Sequence, residues 1–407
     1  MAANKKVLFI AFLTVFLDLI GFGVIIPIQP FYAEMIGASP TLVTMLGASY
    51  SFMQFLFAPF WGRLSDRVGR RPIILIGIST SIVGYTIFGF AESLLVLFAS
   101  RLLTGFGNAN IGAAQAIIAD VTDEESRAKG MGIIGAAFGL GFIFGPALGG
   151  ALGQVSPTAP AFGAAALGVV NLILAYFLLP ETNVDKGQAH SAHKPGLSIS
   201  GLKNASKRLN VLPILVITLL TILAFALMEQ IVGLYIESAW LQDTALNKPS
   251  ILKESAKITS IFLVAVGITA TIVQGGLIGR LSKRYGERRL CQAGVIILCV
   301  SMFLTPVMVD SKSWILLLLN GAMLALGMGL FNPSTTAFIS KCVPKRDQGG
   351  TLGLNQSMAS LGRVIGPVLS GPLFEIGKKL PFYVGGLIFV AAAFIALQLK
   401  PAQDPVE

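Results

Sequence analysis

Long apolar runs alternate with short charged links along the whole chain. A helix needs about 20 mainly apolar residues to cross a bilayer. By that measure the pattern predicts twelve spans. Six lie near 7–33, 41–62, 72–91, 94–119, 130–153 and 160–180, and six near 211–236, 258–279, 291–309, 313–340, 350–375 and 380–399. The link 62–71, Gly-Arg-Leu-Ser-Asp-Arg-Val-Gly-Arg-Arg, is too short to let the runs on either side be anything but antiparallel neighbours. It returns 217 residues later as Gly-Arg-Leu-Ser-Lys-Arg-Tyr-Gly-Glu-Arg-Arg, at 279–289. The pattern therefore predicts a duplicated six-helix unit. The organisation is a first bundle over 1–180, a cytoplasmic linker over 181–210 and a second bundle over 211–407.

Composition supports an all-α membrane protein. The chain is 54% hydrophobic and 12% charged, whereas soluble domains average about 25% charged residues. The net charge of +10 raises nucleic acid as a partner, and its distribution excludes it. Of 30 Lys and Arg, 22 fall in alternate loops and termini on one side, the asymmetry that marks the cytoplasmic face. An even span count with Lys5 and Lys6 at the start places both termini in the cytoplasm, in a multi-pass protein of the inner (plasma) membrane. The first run has no cleavage site after it and reads as a retained helix. The three cysteines imply no disulfide framework. His190 and His193 in the linker read as solvated, and no cluster completes a metal site. Lys203, Lys207 and Arg208 suit a short helix lying on the inner leaflet. The segment 238–257 reads as the longest external loop.

Ionisable residues inside a span are expensive and mark function. Four stand out: Asp18, Arg101, Glu229 and Arg363. Gly21, Gly23, Pro27 and Pro30 follow Asp18 and thin and bend its helix. Glu229 has no Lys or Arg within a helical turn, so its partner must come from another helix. Arg101 cannot shed its proton and calls for an acid or water. Arg363 would neutralise Glu229 or Asp18, or attract an anionic head group. The fifth run carries Gly141, Gly145, Pro146, Gly149 and Gly150, glycines four apart that admit close helix approach. The eleventh repeats its Gly-Pro pair at Gly366 and Pro367. No Gly-x-x-x-x-Gly-Lys-Ser/Thr loop is present to bind nucleotide.

These motifs together resemble the major facilitator superfamily, in its drug/proton antiporter branch and most of all the tetracycline/proton antiporters. The loop pattern is carried by Gly62, Asp66, Arg67, Gly69, Arg70 and Arg71. The helix-one pattern runs from Asp18 through Pro30, the helix-four pattern from Arg101 through Gly107, and the antiporter pattern from Gly141 to Gly150. The resemblance implies two pseudo-symmetric six-helix bundles around a central cavity, alternating access, and no enzymatic chemistry. It implies a cytoplasmic gate in which Asp120 joins Asp66 and Arg70. Asp18, Arg101, Glu229 and Arg363 would couple protons, and Asn108, Asn110, Gln115, Gln230 and Gln356 would line the cavity. The substrate would be an amphiphilic small molecule and the partners protons and membrane lipids. The protein would be a monomer with no cofactor, driven by the proton gradient. The second half departs from the tetracycline exporters, whose eighth and ninth helices carry a His and an Asp absent here. Lipid or lysolipid transport and uncoupled facilitation are the other readings.

Overall fold

The computed structural model describes residues 2–122, 124–183, 210–242 and 244–401, and every regular element among them is a helix. The first eight are α1 (Ala2–Ile25), α2 (Gln29–Met35), α3 (Pro40–Val68), α4 (Arg70–Gly89), α5 (Leu94–Asn108), α6 (Ile111–Val121), α7 (Glu124–Val155) and α8 (Ala159–Leu178). After the linker come α9 (Val211–Glu229), α10 (Val232–Trp240) and α11 (Lys248–Ile272). A π-helical turn, Val273–Leu277, joins α11 to α12 (Ile278–Tyr285). The chain ends with α13 (Glu287–Asp310), α14 (Trp314–Cys342), α15 (Lys345–Ile376) and α16 (Leu380–Leu397).

Ten helical stretches among the described residues are long and apolar enough to span a membrane. Two of the twelve predicted runs fall outside that set for separate reasons. The apolar part of α7 is the shorter Gly139–Val155, and α15 is diluted by Asn355, Gln356, Ser357 and Arg363. Large apolar side chains such as Phe9, Leu95, Phe177, Ile315 and Leu387 are exposed. On a water-facing surface so many would be an aggregation hazard; in a membrane protein they meet lipid.

Three predicted spans are discontinuous. The first does not run unbroken over 7–33: α1 stops at Ile25 and α2 restarts at Gln29, because Pro27 and Pro30 lack the donors that would carry the ladder through. The fourth breaks between Asn108 and Ile111, and the seventh between Glu229 and Val232. The external segment 238–257 is also mostly helix rather than loop. Its second part opens α11, where Asn247 accepts the Ser250 N–H at 3.1 Å, an N-cap bond. Pro249 is tolerated there because the first turn needs no internal donor.

Residue contacts divide the chain into two compact units, Met1–His190 with Leu241–Ile268, and Ser191–Trp240 with Thr269–Glu407. Most of α11 thus belongs with the N-terminal helices. In that unit α7 lies against α1. A Cβ on Gly145 would meet the Gly23 Cα at 2.7 Å, and one on Gly149 the Val24 carbonyl oxygen at 2.3 Å. The adjacent Gly150 faces Ser260 of α11. Gly141, Gly145 and Gly149 are therefore the points at which α7 lies against α1, over the turns that follow Asp18. In the second unit, Gly362 and Gly366 bring α15 equally close to α9. There Asp310 accepts from the Tyr235 hydroxyl at 2.7 Å and pairs with Lys379 at 2.6 Å. That pairing lifts the Lys379 ammonium above its ordinary range. His190, His193, Lys203, Lys207 and Arg208 lie outside the described residues, as do the side chains of Glu124, Glu125 and Arg127.

Candidate functional site

Asp18 sits on α1, half-buried, beside a small cavity lined also by Thr14, Val15, Leu19, Ile74, Ile78, Asn110 and Ala114. Its carboxylate has no ion-pair or hydrogen-bond partner among the described residues. The helix break after Asn108 puts Asn110 on the wall of this cavity. Asn110 fills the notch left by Gly77, whose absent Cβ would lie 1.9 Å from the Asn110 Nδ2.

Arg101 on α5 is 2% exposed. The sequence called for an acid or water as its partner; no acid pairs with it among the described residues. Its guanidinium carbon stands 5.0 Å from the ring centre of Phe88, 5.9 Å from Tyr50 and 6.0 Å from Tyr85. Rings attract a buried cation through their negative faces, so α3 and α4 contribute an aromatic cage in place of a salt bridge. The Arg101 Nε and Nη2 have no hydrogen-bond partner among the described residues. The charges of Asp18 and Arg101 both act on Tyr50 and Tyr85, so the two tyrosines link acid and base.

Asn108 holds this cage together. It accepts from the Ser81 hydroxyl at 2.8 Å and donates to the Tyr50 hydroxyl at 3.1 Å, while Gln54 donates to that same oxygen at 3.0 Å. Asn108 and Asn110 are thus buried inside the N-terminal unit, and Gln115 on α6 is exposed. Sequence reading missed Tyr50, Tyr85, Phe88 and Ser81. Their only signal was aromatic and hydroxyl residues within runs otherwise read as lipid-facing.

In the second unit Glu229 is the last residue of α9 and Gln230 caps it. Arg363 of α15 is the charged group whose field reaches Glu229; its side chain is exposed, and no ion pair within 4 Å joins the two among the described residues. Gln356 is exposed.

At the inner end of the first unit, Arg70 joins Asp66 and Ser65 and reaches Asp120 at 3.4 Å. Glu181, which the motif reading did not include, completes the cluster. Its carboxylate accepts the backbone N–H groups of Arg70 at 2.9 Å, Arg71 at 3.3 Å, and Thr182 and Asn183 at 3.0 Å. Two of these belong to the start of α4, where unpaired donors and the helix dipole favour an anion. Gly69 has φ +119°, and the space where its Cβ would stand holds Glu181. Arg67 is exposed, and a Cβ on Gly62 would meet nothing within 4 Å. Replacing Glu181 with Ala strands these donors and should cost about 1–2 kcal/mol, read as a lower unfolding temperature in detergent; an unchanged temperature would refute the capping role.

The second copy of the loop has the same geometry with the charges exchanged. Glu287, at the position equivalent to Arg70, accepts from Ser282 at 3.0 Å and pairs with Lys341 at 2.7 Å. No group of three or more metal-ligating side chains occurs among the described residues.

The sequence model described as Major Facilitator Superfamily matches residues 11–246 and again 245–407. Multidrug resistance protein 1 of Bacillus subtilis (strain 168) is 31% identical over 383 residues, 92% of this chain and 90% of that protein. The class C tetracycline resistance protein of Escherichia coli is 30% identical over 396 residues, 96% of this chain and 94% of that protein. Among solved structures, the human organic anion transporter MFSD10 (TETRAN) aligns with a TM-score of 0.70 at 21% identity, covering 97% of this chain and 99% of that one. The nucleoside transporter NupG aligns at 0.73 and 15% identity, covering 99% and 100%. At such identities the structural likeness concerns the fold.

Proposed function

Because this chain belongs to the major facilitator superfamily, we propose that it exports amphiphilic small molecules in exchange for protons. The resistance proteins it resembles support export of drug-like compounds. The single observation that carries proton coupling is Asp18, an acid within a span with no ion-pair partner among the described residues, beside a small cavity, while Arg101 is held by rings. A proton on Asp18 removes a charge from the helix that the α7 glycines seat most closely. Loading and unloading that proton would bias α1 between two packings, the differential interaction that alternating access needs. Glu229 is the second proton candidate. The energy source in this reading is the proton gradient, with no cofactor. The protein works as a monomer in the inner (plasma) membrane with both termini in the cytoplasm. Over-representation of basic residues in the inner loops supports that orientation.

The test is efflux of a fluorescent amphiphile from proteoliposomes with and without an imposed pH gradient. The gradient should accelerate efflux about tenfold or more; equal rates would end the coupled reading. Lysolipid added as competitor separates drug export from lipid transport. In the same assay Asp66→Asn should slow transport more than it lowers folded yield, because it loosens an inner contact that must break and re-form in each cycle. An exposed pair adds under about 1 kcal/mol to stability. Equal losses in rate and yield would sink the gating role.

A further inference from the structure

We infer that the N-terminal unit contains a one-water site through which the Asp18 carboxylate is protonated, with Asn110 as its positioning residue. This rests on the proton-coupled reading above. The cavity beside Asp18 has a volume of about 20 Å³, and roughly 10–15 Å³ suffices for one water that finds two to four polar partners. Three polar side chains line it: the Asp18 carboxylate from α1, the Thr14 hydroxyl one turn earlier, and the Asn110 amide from the α5–α6 break. The other lining residues, Val15, Leu19, Ile74, Ile78 and Ala114, are apolar. A water there can satisfy Asp18 and has few alternative partners. All eight lining residues belong to one unit.

Asn110 is fixed for this task. Its Nδ2 donates to the Ile74 carbonyl oxygen at 3.5 Å and is seated in the Gly77 notch, so its amide has little freedom to swing away. Thr14 is fixed too, since Asn171 of α8 donates to its backbone oxygen at 3.0 Å. The charged and titratable groups around Asp18 are Tyr50 of α3, Tyr85 of α4 and Arg101 of α5. On the other elements, Asp120 of α6 is engaged with Arg70 and Tyr176 of α8 lies against Arg71 at the inner end, and the part of α7 from Gly139 onward carries no acid or base. A proton arriving as hydronium passes to a carboxylate oxygen, leaving a neutral water and a neutral carboxyl. Release reverses the transfer. Three oxygen-bearing side chains are too few for a sodium ion, which needs about five or six oxygens by analogy with other hard cations.

The experiment is infrared difference spectroscopy of the reconstituted protein between high and low pH, in ordinary and oxygen-isotope-labelled water. A water band that shifts with the isotope should be present in the wild type and absent in Asp18→Asn. Ala114→Val fills the cavity while leaving every polar group in place, and should abolish the band. Asn110→Leu should weaken it. Both variants should displace the pH profile of gradient-driven efflux by about one unit, with an unchanged KM for the amphiphile in Ala114→Val. Gel filtration and unfolding temperature establish that each variant is folded. A band that survives Ala114→Val, or unmoved pH profiles in both folded variants, overturns the site. A profile that depends on sodium at constant ionic strength overturns the water assignment in favour of a cation. If Asp18→Asn itself leaves gradient-driven efflux intact, the coupling role of Asp18 fails and the water site with it; if it abolishes coupling while the two cavity variants behave as wild type, only the water site fails.

Discussion

Replacing Asp18 with Asn should lower pH-gradient-driven efflux by about 100-fold, the scale of a lost proton-transfer group, with little loss of folded protein. The geometry explains why the two effects separate. Removing one member of a buried ion pair destabilises because the other charge is left stranded. Arg101 is not such a partner: its guanidinium is held by Phe88, Tyr50 and Tyr85, and those rings remain. An amide in place of the carboxylate is also cheaper to keep out of water. Exchange of labelled for unlabelled substrate without a gradient should therefore persist within about threefold. Glu229→Gln should likewise lower gradient-driven efflux while folded yield holds, since Arg363 is exposed and is not left as a stranded buried charge. Gradient-driven efflux at its original speed in the Asp18→Asn, Glu229→Gln double variant would refute a coupling role for both acids.

Gly145→Val should abolish transport and reduce folded yield several-fold, whereas Gly112→Val should do neither. The Cβ of any residue at 145 would lie 2.7 Å from the Gly23 Cα, 2.9 Å from its carbonyl carbon and 3.0 Å from the Ile20 oxygen. Those are backbone atoms and cannot rotate aside. Overpacking a flexible core costs about 1–3 kcal/mol, and here relief requires α1 to move off α7, two residues beyond Asp18's own turn. At Gly112 a Cβ would meet nothing within 4 Å. Fluorescence-detected gel filtration and efflux measured on the pair would decide; a folded, active Gly145→Val would show that the close approach of α1 and α7 is dispensable.

The spans were legible because apolar length is a strong signal, and Asp66, Arg70 and Asp120 because charges in a short inner loop have few places to go. The breaks after Asn108 and Glu229 were not legible. No proline marks them, and a helix interrupted inside an apolar run keeps the run's composition. Glu181 looked like the first solvated residue of a linker; only the fold shows four backbone donors converging on it. The aromatic cage of Arg101 is assembled from Tyr50, Tyr85 and Phe88, which lie in two separate runs and have no common spacing. The helix at 248–257 escaped notice because hydropathy reports where a helix leaves the membrane, not where it ends.

The exchanged pairs at the two inner loops bear on ancestry. Arg70 with Asp120 and Glu287 with Lys341 occupy equivalent places with opposite polarity, so a common precursor had one arrangement and a descendant half acquired the other. That change takes two mutations and passes through a mismatched intermediate. The Lys341 side chain is 57% exposed but Glu287 only 16%, and Arg70 only 13%, so a like-charge intermediate would be only partly hydrated and would cost more than the under about 1 kcal/mol of a fully exposed pair.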